Sequence, residues 1–251
     1  MGMPPGKIKK IYIVPNFVTS ANMFCGFYSI IAAIQGDYVI ASWAIMAASV
    51  FDMLDGRIAR LAKATSQFGV EYDSLSDLIS FGMAPAVLLY QWALHPFGRL
   101  GWLAAFLYLV CGALRLARFN VNTDDQPKGY FQGLPIPIAA GVIATFIIFL
   151  QNIDFESFPH WIVLLLTFGL ASLMVSTIPF PSFKELNWRS RATFGYLMVG
   201  VLSMILIAAK PDWSLFFLVS AYVLLSLGWN LLRVLGLMPR RAVSSINNAQ
   251  H

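Results

Sequence analysis

Four aspartates stand out as the residues best suited to chemistry. Asp52, Asp55, Asp73 and Asp77 follow one another at spacings of 3, 18 and 4. With Glu71 they place five of the chain's 12 acidic residues inside one 26-residue window. Asp52 and Asp55, at i,i+3, project from one face of a helix, and Asp73 and Asp77, at i,i+4, do the same. The link 61–68 is short, which makes the two helices antiparallel neighbours and lets the four carboxylates converge. Four like charges cannot stay ionised together without cations. Oxygen-only donors suit a hard divalent ion, Mg²⁺ or Mn²⁺. No His or Cys lies near enough in sequence to suggest zinc. The competing reading is a set of helix-end carboxylates paired with Arg57, Arg60 and Lys63.

The elements that must position these acids are set by the solvent. Of the 251 residues, 58% are hydrophobic and 12% charged, against roughly 25% charged in an average soluble domain. That supply cannot cover a water-facing surface. It excludes a soluble enzyme, a disordered tail and a nucleic-acid-binding module, so no nucleic acid is expected as a partner. Lipid is the expected surroundings. Eight apolar stretches approach the length of a span, at about 16–36, 38–60, 73–94, 99–119, 133–151, 160–180, 194–209 and 212–232. In lipid they must be helices, because open strands would leave backbone groups unpaired. The expectation is an all-α integral membrane bundle of about eight transmembrane helices. It would comprise a basic N-terminal segment at 1–15, a core at 16–150, additional C-terminal helices at 151–235 and a polar tail at 236–251.

Charge supports this layout. With the N-terminus placed inside, only Arg99 and Lys210 of the 17 Lys and Arg residues fall outside. The positive-inside rule therefore puts both termini in the cytosol, with the aspartates at the cytosolic end of the bundle. Charged groups cost ~2.5–3.5 kcal/mol each at the centre of a bilayer. Carboxylates in such segments are thus functional candidates by default. A transporter would instead place acids near mid-membrane, between inverted repeats. Cys25 and Cys111 give neither a disulfide framework nor a CxxC metal signal.

Residues near the aspartates extend the candidate site. Gly56 and Gly69 would let a phosphate approach the backbone closely, or simply let helices pack. Arg60 could hold a phosphate bidentately. Asn16, Thr19 and Asn22 fall on one side of the first helix. They either hydrogen-bond a nucleotide or cap and back-bond the helix start. Arg115 and Arg118 share one face at the inner end of the fourth helix, followed by Asn120. They either bind an anionic substrate group or mark the cytosolic boundary.

The run Asp52-Met-Leu-Asp55-Gly56-Arg-Ile-Ala59-Arg60, then Gly69, Asp73 and Asp77, resembles the signature of the CDP-alcohol phosphotransferases. That signature is D-x-x-D-G-x-x-A-R-x8-G-x3-D-x3-D, and all eight fixed positions agree. Further stretches resemble the phosphatidylserine synthase branch of the family. They are Pro15-Asn16-Phe-Val-Thr19-Ser-Ala-Asn22, Glu71-Tyr72-Asp73-Ser74-Leu75-Ser76-Asp77, Arg115-Leu-Ala-Arg118-Phe-Asn120 and Phe131-Gln-Gly133-Leu-Pro135. The resemblance runs from about residue 10 to 150.

It implies the family's fold and a multi-pass enzyme of the bacterial inner membrane with its site facing the cytosol. The enzyme would move a phosphatidyl group from CDP-diacylglycerol to L-serine and release CMP. Asp52, Asp55, Asp73 and Asp77 would hold the divalent ions, two by family habit, with Asp77 also taking the alcohol proton. Gly56, Ala59, Arg60, Ser66 and Gly69 would contact the CDP-lipid, joined by Asn16, Thr19 and Asn22. Arg115, Arg118 and Asn120 are candidates for holding serine. Choline, glycerol phosphate and inositol phosphate are the alternative acceptors. A homodimer is the family's expectation.

Overall fold

The computed structural model describes residues 13–61, 66–121, 130–153, 158–181 and 193–234. The basic N-terminal start, most of the link after Arg60 and the polar tail lie outside them, as do the side chains of Ala59 and Arg60. The described residues form eight helices: α1 Ile13–Gln35, α2 Tyr38–Leu61, α3 Gln67–Phe97, α4 Arg99–Val121, α5 Ile136–Gln151, α6 His160–Val175, α7 Thr193–Ala209 and α8 Pro211–Val234. Two three-residue strands join them, β1 Tyr130–Gln132 and β2 Pro179–Pro181.

This is an all-helical, multi-pass membrane architecture. Five helices are long and apolar enough to cross a bilayer, namely α1, α2, α3, α4 and α8. Helices α5 and α6 and the 200–209 part of α7 are apolar but shorter. The surface is what a lipid solvent requires: Leu224, Leu225 and Leu231 of α8 and Met204 of α7 are all well exposed.

Helices α1 and α2 form a hairpin around Gly36, whose φ of 89° suits glycine. Asp37 N–H returns to the Ala32 carbonyl at 2.9 Å and closes the end of α1. Helix α5 sits at the centre. Ala139, Ala140, Ile143, Ala144 and Ile147 are fully buried there, against α2 on one side and α8 on another.

Helix α3 begins earlier than the expected 73–94. Ser66 is its N-cap, with its hydroxyl oxygen accepting from Gly69 N–H at 3.0 Å, and so brings 67–72 into the helix. Near its middle the helix widens into a π-turn over Leu78–Met83, where Ala84 N–H reaches back to the Ile79 carbonyl. The reason is Pro85. It has no N–H to offer the Phe81 carbonyl one turn earlier. The hydroxyl of fully buried Tyr108 on α4 supplies that bond instead, at 3.1 Å.

The expected span 160–180 ends at Val175, because Pro179 and Pro181 cannot continue a helix and instead lie in β2. Strand β2 pairs antiparallel with β1, Phe131 opposite Phe180. The expected start of the fifth helix moves from 133 to Ile136, with Pro135 as N-cap.

Candidate active site

Helices α1, α2 and α3 meet at the aspartates. Asp52 and Asp55 come from the last turns of α2, and Asp73 and Asp77 from the first turns of α3. Oxygen atoms of Asp52, Asp55 and Asp73 lie within 4.8 Å of one another. The carboxylates of Asp55 and Asp73 are in hydrogen-bonding reach of each other. Asp73 Oδ1 is buried with no donor among the described residues. Carboxylates in contact, one with an oxygen lacking any donor, match a hard cation in both charge and ligand chemistry. This trio could hold a divalent metal.

Asp77 stands beside the trio rather than in it. It is 9% exposed, and its Oδ1 accepts from Asn22 Nδ2 at 3.1 Å. Thr19 Oγ1 donates to Asp55 Oδ2 at 3.0 Å. Helix α1 therefore grips one aspartate from each of the other two helices. Its own register is held by α3. Ser76 Oγ donates to the Thr19 carbonyl and Ser80 Oγ to the Asn22 carbonyl, both at 3.0 Å. Gly26 makes this approach possible, since a Cβ there would collide with Ser80. Near the start of α3 Asn16 lies close to Gly69, and the Ser20 hydroxyl meets the Tyr72 hydroxyl at 2.8 Å.

A cation faces the acids from α4. Arg115 is 8% exposed and within electrostatic reach of Asp77 and Asp52. Its Nε has no acceptor among the described residues, and its guanidinium lies 6.0 Å from the Phe119 ring centroid. Arg118, one turn on, goes elsewhere. It donates to the carbonyls of Val175 at 2.9 Å, Gln132 at 3.2 Å, Ser176 at 3.2 Å and Met174 at 3.3 Å. The guanidinium thus closes the end of α6 onto the β1–β2 ribbon. Asn120 Nδ2 donates to Ser74 Oγ at 2.9 Å, between two of the aspartates in sequence.

A family model described as CDP-alcohol phosphatidyltransferase matches residues 12–173. The chain belongs to this family. Among curated relatives, a CDP-diacylglycerol–serine O-phosphatidyltransferase of Helicobacter pylori is 37% identical over 215 residues, covering 83% of this chain and 88% of that protein. One of Bacillus subtilis is 36% identical over 172 residues, covering 68% and 92%. An archaetidylserine synthase of Methanothermobacter thermautotrophicus is 37% identical over 177 residues, covering 70% and 72%.

Set against this CDP-alcohol phosphatidyltransferase core, the residues singled out in the sequence divide clearly. The structure gathers Asp52, Asp55, Asp73, Asp77, Thr19, Asn22 and Arg115. It places Asn16, Ser66 and Gly69 together at the start of α3, with half-buried Gly56 directly after Asp55. Ala59 and Arg60 belong to α2, but their side chains lie outside the described residues. Arg115 and Arg118 do not act as a pair. Positions three apart point roughly 60° from each other around a helix, and two long side chains diverge from there. Ser76 and Ser80 were missed. Their signal was available: small hydroxyl residues at i,i+4 on an apolar helix mark a close helix–helix face.

Proposed function

We propose that this chain transfers a phosphatidyl group from CDP-diacylglycerol to L-serine, giving phosphatidylserine and CMP. The observation that carries the reading is one buried cation, Arg115, set against a cluster of four aspartates on converging helix ends. The relatives support serine as the acceptor. Their names combine one acceptor, serine, with two different lipid portions.

Asp52, Asp55 and Asp73, with Asp77 beside them, would hold Mg²⁺ or Mn²⁺, with two ions the family expectation. When bound, such ions supply positive charge against the diphosphate. The protein's own groups do the rest. Asp77 accepts the serine hydroxyl proton as that oxygen bonds to the diacylglycerol-bearing phosphorus. The phosphorus–oxygen bond to CMP breaks, and CMP leaves with the electron pair. Arg115 pairs with the serine carboxylate, which orients the hydroxyl and explains a buried guanidinium with an unused Nε. Asn120, held by Ser74, adds a polar contact at the same end. By their place in the motif, Arg60, Gly56 and Gly69 would contact the nucleotide.

The distribution of basic residues supports a site on the cytosolic face of the bacterial inner membrane, with both chain termini on that side. There the acyl chains stay in lipid while the headgroup meets a water-borne acceptor.

The test offers the purified protein CDP-diacylglycerol with serine, choline, glycerol phosphate or inositol phosphate, and follows CMP release. Serine alone should support turnover, and Asp77→Asn should abolish it while CDP-diacylglycerol still binds. Turnover with choline and not with serine would overturn the assignment.

A further inference from the structure

Among the described residues, Asp77 takes a hydrogen bond from a side-chain amide. Asn22 Nδ2 donates to its Oδ1 at 3.1 Å. Asn22 is fully buried, and its own Oδ1 has no partner among the described residues. The amide nitrogen donates and the carboxylate accepts, so the oxygen that faces Asn22 is engaged and the other is left outside this bond. The carboxylate cannot set that by itself, because the last torsion of an aspartate is broad and nearly two-fold.

Asn22 is itself held rigidly. Its carbonyl accepts from Ser80 Oγ at 3.0 Å, and Ser80 lies one turn beyond Asp77 on α3. One turn further along α1, Gly26 touches Ser80 so closely that no Cβ fits. The same unit recurs once. Ser76 holds the Thr19 carbonyl at 3.0 Å, and the Thr19 side chain holds Asp55. Two serines of α3 thus lock two residues of α1, whose side chains return to two aspartates.

We propose that Asn22 is a positioning residue for the transfer step. By occupying Oδ1 of Asp77 it leaves Oδ2 as the oxygen that takes the hydroxyl proton. The proposal rests on the reading of Asp77 as the base. It assigns Asn22 Nδ2 to Asp77, in place of the expectation that Asn22 contacts the CDP-lipid, and leaves Asn22 Oδ1 as the part of the amide without a partner among the described residues.

The experiment measures kcat and KM for Asn22→Ala and for Asn22→Leu, which keeps the branched outline and removes the donor. Binding of CDP-diacylglycerol reports that each variant is folded. Loss of a hydrogen bond to a charged group should lower kcat by roughly 10- to 100-fold, with both KM values held within about twofold. In an Asp77→Glu background the carboxylate is displaced from the amide, so the same substitutions should cost less than about threefold. A raised KM for CDP-diacylglycerol with kcat unchanged would overturn the proposal in favour of a lipid-substrate contact. An undiminished penalty in the Asp77→Glu background would also overturn it. An inactive Asp77→Asn beside fully active Asn22 variants would sink this assignment alone. Wild-type turnover by Asp77→Asn would sink the base reading beneath it.

Discussion

Arg118 should be worth more to the fold than to serine recognition, although the sequence places it beside Arg115 as an equal candidate. Its guanidinium serves four carbonyls, those of Gln132, Met174, Val175 and Ser176. Three of these belong to the end of α6, where helix carbonyls have no partner of their own. The bonds to Val175 and Gln132 are exposed, and an ordinary bond is worth ~0.5–1.5 kcal/mol. The bonds to Gln132, Met174 and Ser176 all leave Nη2, which has two hydrogens, so the half-buried pair to Met174 and Ser176 counts as one charge-assisted bond of ~1.5–3 kcal/mol. Arg118→Ala should therefore cost about 2.5–6 kcal/mol. At about 2–4 °C per kcal/mol for a chain of this size, the melting midpoint falls by ~5–24 °C.

Arg118→Lys should recover little of this. An ammonium is a compact point donor and cannot span both the ribbon and the helix end as the planar fork does. The assay pairs thermal unfolding in detergent with serine titrations at saturating CDP-diacylglycerol, for Arg118→Ala, Arg118→Lys and Arg115→Ala. Arg115→Ala should raise the serine KM by at least tenfold, about 1.4 kcal/mol, with a smaller loss of stability. The reasoning is refuted if Arg118→Ala melts like the wild type while its serine KM rises as far as that of Arg115→Ala.

Three more expectations follow from the same geometry. Gly133→Ala should mimic the loss of Arg118: φ is +76°, and a Cβ would strike the Met174 carbonyl and approach Arg118 Nη2 at 2.9 Å, so a melting midpoint equal to wild type would contradict it. Thr19→Val keeps the shape of the side chain but removes the donor to Asp55. It should weaken divalent-ion affinity by several-fold, raising the Mg²⁺ or Mn²⁺ concentration that gives half-maximal CMP release; an unchanged concentration would contradict it. Removing divalent ions with a chelator should stop turnover, and re-addition should restore it. Activity indifferent to chelation would remove the metal role from Asp52, Asp55 and Asp73.

The legible part of this protein was what depends on spacing. Asp52 and Asp55 at i,i+3 and Asp73 and Asp77 at i,i+4 sit on helices in the structure as the pattern requires, because side-chain direction on a helix is fixed by the backbone. Helix ends were less legible. Whether α3 starts at 67 or 73 turned on a single hydroxyl, Ser66 as N-cap, in a stretch with little apolar signal. The two strands were invisible for a similar reason: three residues carry no period, and pairing of 130–132 with 179–181 joins segments nearly 50 positions apart. The divided roles of Arg115 and Arg118 could not be read at all, because the sequence does not show where four carbonyls from distant segments will gather.

That last gap bears on how the chain builds its acceptor pocket. Helix α4 carries Arg115 toward the acids and Arg118 toward the ribbon, so any tilt of its C-terminal end moves both. The ribbon that receives Arg118 is held from outside the family match. Strand β2 lies beyond residue 173, and Asn230 of α8 donates to the Pro179 carbonyl at 2.8 Å. Asn230 also bonds the Ser226 carbonyl on its own helix at 2.8 Å, which fixes its orientation. A continuous set of contacts thus runs from α8 through β2 and β1 to Arg118, and along one turn of α4 to Arg115. The aspartates depend instead on α1, through Thr19, Asn22 and the two serines. On the proposed reading, donor chemistry and acceptor recognition would therefore be braced by different ends of the chain. The acceptor side rests on helices whose sequence shows only that they are apolar.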